Sequence, residues 1–216
     1  MAIKRLVLIR PGETDWNRQG RWQGWVAAPL NAHGWQQARK LAQFVRHIGM
    51  AALYSSDLRR ARETAECLSE HLGYPAVLDA RLRERNIGLW QGLTQDEMRA
   101  WYPDEYAALL KDIDGYTVPG GESRADVRRR VMTAYEDIIA ADKGETVGIL
   151  SHTTTLKVLL AEIVPGYNPL EVEVGNTSVT TLRRADKDRW ELVAVNDIMH
   201  LEGLEAQAVP EVEIIP

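Results

Sequence analysis

The chain has 216 residues, of which 45% are hydrophobic and 26% charged, and a formal net charge of −5. That size suits one α/β domain with a single core, and the acidic balance excludes a protein that grips nucleic acid through its phosphate backbone. The longest purely apolar runs, such as residues 6–9, fall far short of a membrane span, so no membrane partner is expected.

The first ten residues hold too short an apolar segment for a signal peptide and lead straight into a strand, so a cytoplasmic location is expected. Residues 5–10 are apolar, with β-branched members, and stop at Pro11-Gly12, the pattern of a buried parallel strand that delivers a loop. Residues 34–48 carry Trp35, Ala38, Leu41, Ala42, Val45 and Ile48 at helical spacing, and 51–55 read as a second short strand. The helical period returns over 58–72, with Asp57 positioned to cap the first turn. Cys67, the one cysteine, sits in this helix as an inert core thiol, so no internal disulfide forms.

A third strand is predicted over 76–82, and a helical stretch over 95–112 with a break at Pro103. Pro119-Gly120-Gly121 marks a loop, after which Ser123 caps a helix running to about residue 141. Residues 146–150 form another buried strand ending in Ser151-His152, followed by a helix over 156–163. A late hairpin is expected from 179–182 and 190–195 across a polar turn at 185–189. The fold class is therefore α/β, with a mostly parallel sheet flanked by helices on both faces. It makes one domain over 1–208, with a small helical insert at about 93–118 and a C-terminal tail at 209–216.

In open α/β sheets ligands bind beyond the carboxyl ends of the strands. Those positions hold Arg10, Ser55-Ser56 with Arg60 nearby, Glu84 and His152. Two guanidinium forks, an imidazole and a carboxyl that can trade a proton make a phosphate-site inventory. Taken singly, each has an ordinary reading as a surface ion pair, a solvated loop acid or a packed core histidine, and only their joint placement favours function. No His-x-x-x-His, Cys-x-x-Cys or clustered aspartates occur at ligand spacing, so neither a metal nor another cofactor is expected.

Leu8-Ile9-Arg10-Pro11-Gly12-Glu13-Thr14-Asp15-Trp16-Asn17 resembles the opening Arg-His-Gly-Glu-Thr-x-x-Asn motif of the histidine phosphatases, in their phosphoglycerate mutase-like branch. Residues 54–65, the Glu84-containing block at 83–92, the Pro-Gly-Gly-Glu-Ser turn at 119–123, Ser151-His152, Asn176-Thr177-Ser178 and His200-Leu201 resemble further blocks in the family's order. The resemblance implies a phosphate pocket of Arg10, Arg60 and His152, with Asn17 as a further donor and Glu84 as proton donor to the leaving group. The ligand would be inorganic phosphate or a small phosphorylated molecule, and a homodimer is compatible with it.

The resemblance also puts the phosphate-accepting histidine at position 11, which is proline. A proline ring offers no lone pair to phosphorus, so a phosphohistidine cannot form there. The expected function is a phosphate-binding domain that is catalytically impaired or inactive. Two alternatives stand beside it. One is an active phosphomonoesterase or mutase in which His152, or water assisted by Glu84, attacks; the other is an ordinary enzyme with an engineered or mis-sequenced codon at position 11. Phosphate-monoester hydrolysis needs acceleration of up to about 10²¹-fold, and a site without its nucleophile keeps about 10³–10⁴-fold, which favours impairment. Ala27, Gln91 and Thr153 are smaller departures on the substrate side; His33, His47 and His71 read as surface or packing residues, and His200 as structural near the pocket rim.

Overall fold

A computed structural model describes residues 2–186 and 189–204. In chain order these form β1 (Arg5–Ile9), α1 (Asp15–Arg18), α2 (Ala32–Val45), β2 (Ala52–Ser55), α3 (Arg59–Leu72), β3 (Val77–Leu78), α4 (Gln95–Trp101), α5 (Pro103–Lys111), α6 (Arg124–Ala141), β4 (Thr146–Leu150), α7 (Thr153–Ile163), β5 (Val179–Asp186) and β6 (Arg189–Asp197). Short 3₁₀ turns occur at Ala80–Leu82, Gly88–Trp90 and Met199–Leu201. The tail expected at 209–216 lies outside the described residues.

The strands make one sheet in the order β3-β2-β4-β1-β5-β6. The pairs β2/β3, β2/β4 and β1/β4 are parallel, while β5 and β6 add an antiparallel edge. Alternation along β1 sends Leu6 and Leu8 to one face and Val7 and Ile9 to the other, as the two-residue period of a strand requires. The first face packs on Val127, Val131, Ala134 and Ile138 of α6 and on Leu156, Leu159 and Leu160 of α7. The second packs on Leu41, Ala42 and Val45 of α2 and on Ala61, Ala65 and Leu68 of α3. Each fully buried leucine or valine here contributes about 1.5–3 kcal/mol. The doubly covered sheet is the fold class expected from the sequence.

Three local expectations need correction. Only Val77–Leu78 of the third strand pairs, because Asp79 turns the chain, its carboxylate accepting from the Arg81 N–H at 2.8 Å and starting the 3₁₀ turn. Asp57 does not cap α3: the capping position is Leu58, with no side-chain cap, and Asp57 instead takes two hydrogen bonds from the Arg83 guanidinium. The helix expected from 156 begins at Thr153, directly after His152. Ser123 does cap α6, in a capping box with Asp126.

The insert carries its own small core. Tyr106 and Tyr116 tilt against Trp90, each with ring centroids 6.3 Å apart, and Met98, Leu109 and Val118 fill in around them. These aromatic rings are cap packing, while Trp101 is exposed. No described helix is long and apolar enough to cross a membrane.

Candidate phosphate-binding cleft

Since β4 lies between β2 and β1, the carboxyl ends of three parallel strands open side by side. β1 delivers Arg10 and Pro11, β4 delivers His152, and β2 delivers Ser56, with Arg60 following on α3. All but Ser56 line a single cleft of about 1460 Å³, together with Asn17 and Glu84. The structure thus brings together every site residue expected from the sequence.

The loop after β1 sits against α2 at a distance only glycine tolerates. A Cβ on Gly34 would stand 2.1 Å from the Glu13 carbonyl oxygen, and one on Gly12 2.6 Å from the Gly34 carbonyl oxygen. Buried Glu13 ties the loop further, accepting from Arg18 at 2.7 Å and from Asn31 at 2.7 Å. Pro11 itself is buried, and its carbonyl accepts from the Thr177 N–H and the Asn176 side-chain amide, both at 3.2 Å. Gly12 N–H donates to Thr64 Oγ1 at 3.1 Å.

Arg60 is 5% exposed and donates to the carbonyls of Val26 at 3.1 Å and Gly24 at 3.0 Å. Two of its five donors are spent on these anchors, which leaves three. Burial lowers its pKa to about 10, so it is still a cation at neutral pH; Glu84 opposes that shift and Arg10 adds to it. Arg10 is half-buried and donates to the Val174 carbonyl. Burial lowers its pKa too, against the fields of Glu84, Glu173 and Glu13.

His152 is 3% exposed, with Nε2 2.8 Å from Ser56 Oγ. Burial first, and then the charges of Arg60, Arg10 and Arg130, drive its pKa well below the ordinary value of 6.5. The imidazole is therefore neutral at pH 7. Asn17 spends Oδ1 on the N–H and hydroxyl of Thr14, each at 3.0 Å, and its side-chain NH₂ is left without a partner among the described residues.

Glu84 is held from every side. Its carboxylate accepts from the backbone N–H of Arg85 at 2.7 Å and of Thr154, in the first turn of α7, at 3.1 Å. Its own carbonyl accepts from Arg130 at 2.9 Å and from Trp25 Nε1 at 2.7 Å. Arg130 also binds the carbonyls of Arg81 and Arg83 and pairs with Glu122, fixing the whole segment against α6. Arg83 stacks 4.8 Å from the Trp25 ring while bonded to Asp57.

The supporting residues Trp25, Asp57, Arg83 and Arg130 were not legible as such, because each acts through a partner far away in sequence. Of the histidines set aside, His47 and His71 are exposed, but His33 is buried and lines the cleft. His200 sits near the rim, with Nε2 3.1 Å from Thr177 Oγ1 and its ring 5.4 Å from Phe44. Among the described residues no group of three His, Cys, Asp or Glu side chains converges to hold a metal ion.

The family model of the histidine phosphatase superfamily (branch 1) matches residues 6–198. The phosphoglycerate mutase-like protein 4 of Arabidopsis thaliana is 35% identical, over 91% of this chain and 86% of its own. Among solved structures, a mycobacterial glucosyl-3-phosphoglycerate phosphatase complexed with VO3 is 32% identical, with TM-score 0.81, over 89% of this chain and 99% of its own. A histidine-to-alanine mutant of the Entamoeba histolytica phosphoserine phosphatase, in complex with phosphoserine, is 28% identical, with TM-score 0.79, over 91% of this chain and 98% of its own.

Proposed function

The chain belongs to the histidine phosphatase superfamily (branch 1), and we propose that its cleft binds phosphate, or the phosphoryl group of a phosphomonoester, with little or no turnover. Arg10, Arg60 and His152 clasp the anion, and the Asn17 amide adds a donor. Glu84 faces the leaving oxygen. Position 11 is where the family's phosphate-accepting histidine would stand.

The reading rests on one observation: the residue between Arg10 and Gly12, at the carboxyl end of β1 and on the wall of the cleft, is a proline. Arg60 and His152 are buried, Arg10, Asn17 and Glu84 are half-buried, and all five line the cleft, which favours retained binding over a decayed pocket. A relative with one histidine replaced by alanine still holds phosphoserine, which supports the separation of binding from turnover. The alternative in which His152 attacks is weakened by its geometry, because Nε2 is already engaged with Ser56.

Calorimetric titration with inorganic phosphate tests the binding half. The arginine and imidazole contacts, worth about 1.5–3 kcal/mol each, should give saturable binding that Arg60→Ala removes. Equal binding by both proteins would move the anion elsewhere. The chemical half is tested with a reactive phosphoryl donor, after which no acid-labile phosphohistidine should accumulate; a phosphorylated His152 would favour the active alternative.

A further inference from the structure

At about 1460 Å³ the cleft exceeds the roughly 300–1,000 Å³ of a typical small-molecule site, so an anion alone does not fill it. Leu170, Ile198 and Met199, which are 51%, 46% and 68% exposed, line it together with Leu201 and buried Val174. Large apolar side chains left in water as a group mark a place that a binding partner covers.

This apolar rim is continuous with the anion site. The Arg10 guanidinium donates to the Val174 carbonyl, and the next residue, Gly175, lies against Ile198: a Cβ on Gly175 would stand 3.8 Å from Ile198 Cγ2. The Gly175 N–H also donates to Asn196 Oδ1 at 2.7 Å, which ties the two segments of the rim together. On its outer side, the 3₁₀ turn after β6 is fixed to α2 by the His200 ring, 5.4 Å from Phe44, and by Lys40, which donates to the Glu202 carbonyl at 2.8 Å. The rim is thus preformed and anchored beside Arg10. Glu171, Glu173 and Asp197 line the cleft along the same two segments, so a second negative charge on the ligand would be repelled there.

We propose that the rim of Leu170, Val174, Ile198, Met199 and Leu201 receives an uncharged apolar group, esterified to the phosphoryl group that sits at Arg10, Arg60 and His152. The ligand class is then a phosphate monoester of an alkyl or aryl alcohol. The proposal rests on the phosphate-site reading above. Met199, the most exposed of the five, has the flexible side chain that fits apolar groups of varied shape. A second copy of the chain is the competing occupant, and the continuity of the rim with Arg10 through Val174 favours the ester.

The test compares three probes by calorimetry: inorganic phosphate, methyl phosphate and hexyl phosphate. The native protein should bind hexyl phosphate at least about tenfold more tightly than methyl phosphate, as burial of about two of the additional methylenes implies. The double variant Ile198→Ser/Met199→Ser, and separately Leu170→Ser, should cut that preference to within about threefold while phosphate affinity stays within about twofold. These side chains are exposed, so the variants should keep the fold. Arg60→Ala should weaken both esters alike, because each is anchored by its phosphoryl group. Equal binding of the two esters by the native protein, an undiminished preference in the double variant, or hexyl phosphate binding that ignores Arg60→Ala overturns the rim as an ester site and leaves phosphate binding standing. A native dimer without hexyl preference, which the double variant converts to a monomer in sedimentation, assigns the rim to a second copy and overturns it likewise. Failure of the native protein to bind inorganic phosphate overturns the phosphate reading and the rim with it.

Discussion

His152 Nε2 and Ser56 Oγ lie 2.8 Å apart and join the ends of β4 and β2 across the floor of the cleft. Ser56 is fully buried and also accepts from the Leu58 N–H at 3.3 Å, so the imidazole is held by a residue that is itself fixed. A neutral, oriented imidazole beside two arginines can accept a proton when an anion arrives. On the proposed reading it links anion binding to pH.

The sign of that link follows from the depressed pKa of His152. Below about pH 6.5 the unfolded chain protonates this residue and the empty folded protein does not, so stability falls as pH drops through that value, by up to about 1.4 kcal/mol per pH unit. Urea unfolding between pH 7.5 and 5.5 should show a steeper loss for the native protein than for His152→Gln. Sulfate, a dianion throughout the range, should restore more stability at pH 5.5 than at 7.5 in the native protein alone. Parallel pH profiles for the two proteins would remove the proposed coupling.

Arg130 should matter more than its distance from the anion suggests. It donates to the carbonyls of Arg81, Arg83 and Glu84 and pairs with Glu122 at 2.8 Å, in a setting where neither side chain is more than 16% exposed. Arg130→Met strands the Arg81 carbonyl and takes the cation from the Glu122 carboxylate, while the Glu84 and Arg83 carbonyls keep Trp25 and Thr155, at a cost of about 3 kcal/mol. Chemical denaturation measures this, and a loss under about 0.5 kcal/mol would mean that the segment carrying Glu84 is held by other contacts.

Gly34→Ala should disturb the site through the backbone alone. A Cβ there would meet the Glu13 carbonyl at 2.1 Å, so the loop carrying Pro11 and Gly12 has to shift. The expected outcome is destabilisation of about 1–3 kcal/mol and weaker sulfate binding. Unchanged binding and stability would show that α2 can yield without moving the loop.

Much of this arrangement was legible in the sequence because it is encoded locally. The run from Arg5 to Ile9 followed by Pro11-Gly12 announces a buried strand and its loop, and Ser123 with Asp126 announces the start of α6. What escaped was long-range. Asp57 has the residue type and position of a helix cap, but Arg83, 26 residues away, takes its carboxylate. Residues 76–82 have strand composition, yet Asp79 offers its neighbours a tighter local bond. Lys157 interrupts an apolar helical run, and nothing local says whether it reaches solvent; its burial follows from α6 packing on α7.

On the proposed reading the cleft retains a phosphate site and lacks its acceptor. Replacing Pro11 supplies that acceptor while Arg10, Arg60, Glu84 and His152 stay in place. Histidine readily adopts the φ of proline, and the new backbone N–H is its main additional demand on the loop. The direct measurement is phosphomonoesterase activity of Pro11→His beside the native protein on a broad panel of phosphomonoesters, with folding and phosphate binding checked in both. A gain of at least about 100-fold, within the range that a preorganised site supplies to a restored nucleophile, is the expected result. A folded, phosphate-binding Pro11→His protein that hydrolyses no member of the panel, or a native protein already as active as the variant, would contradict the claim.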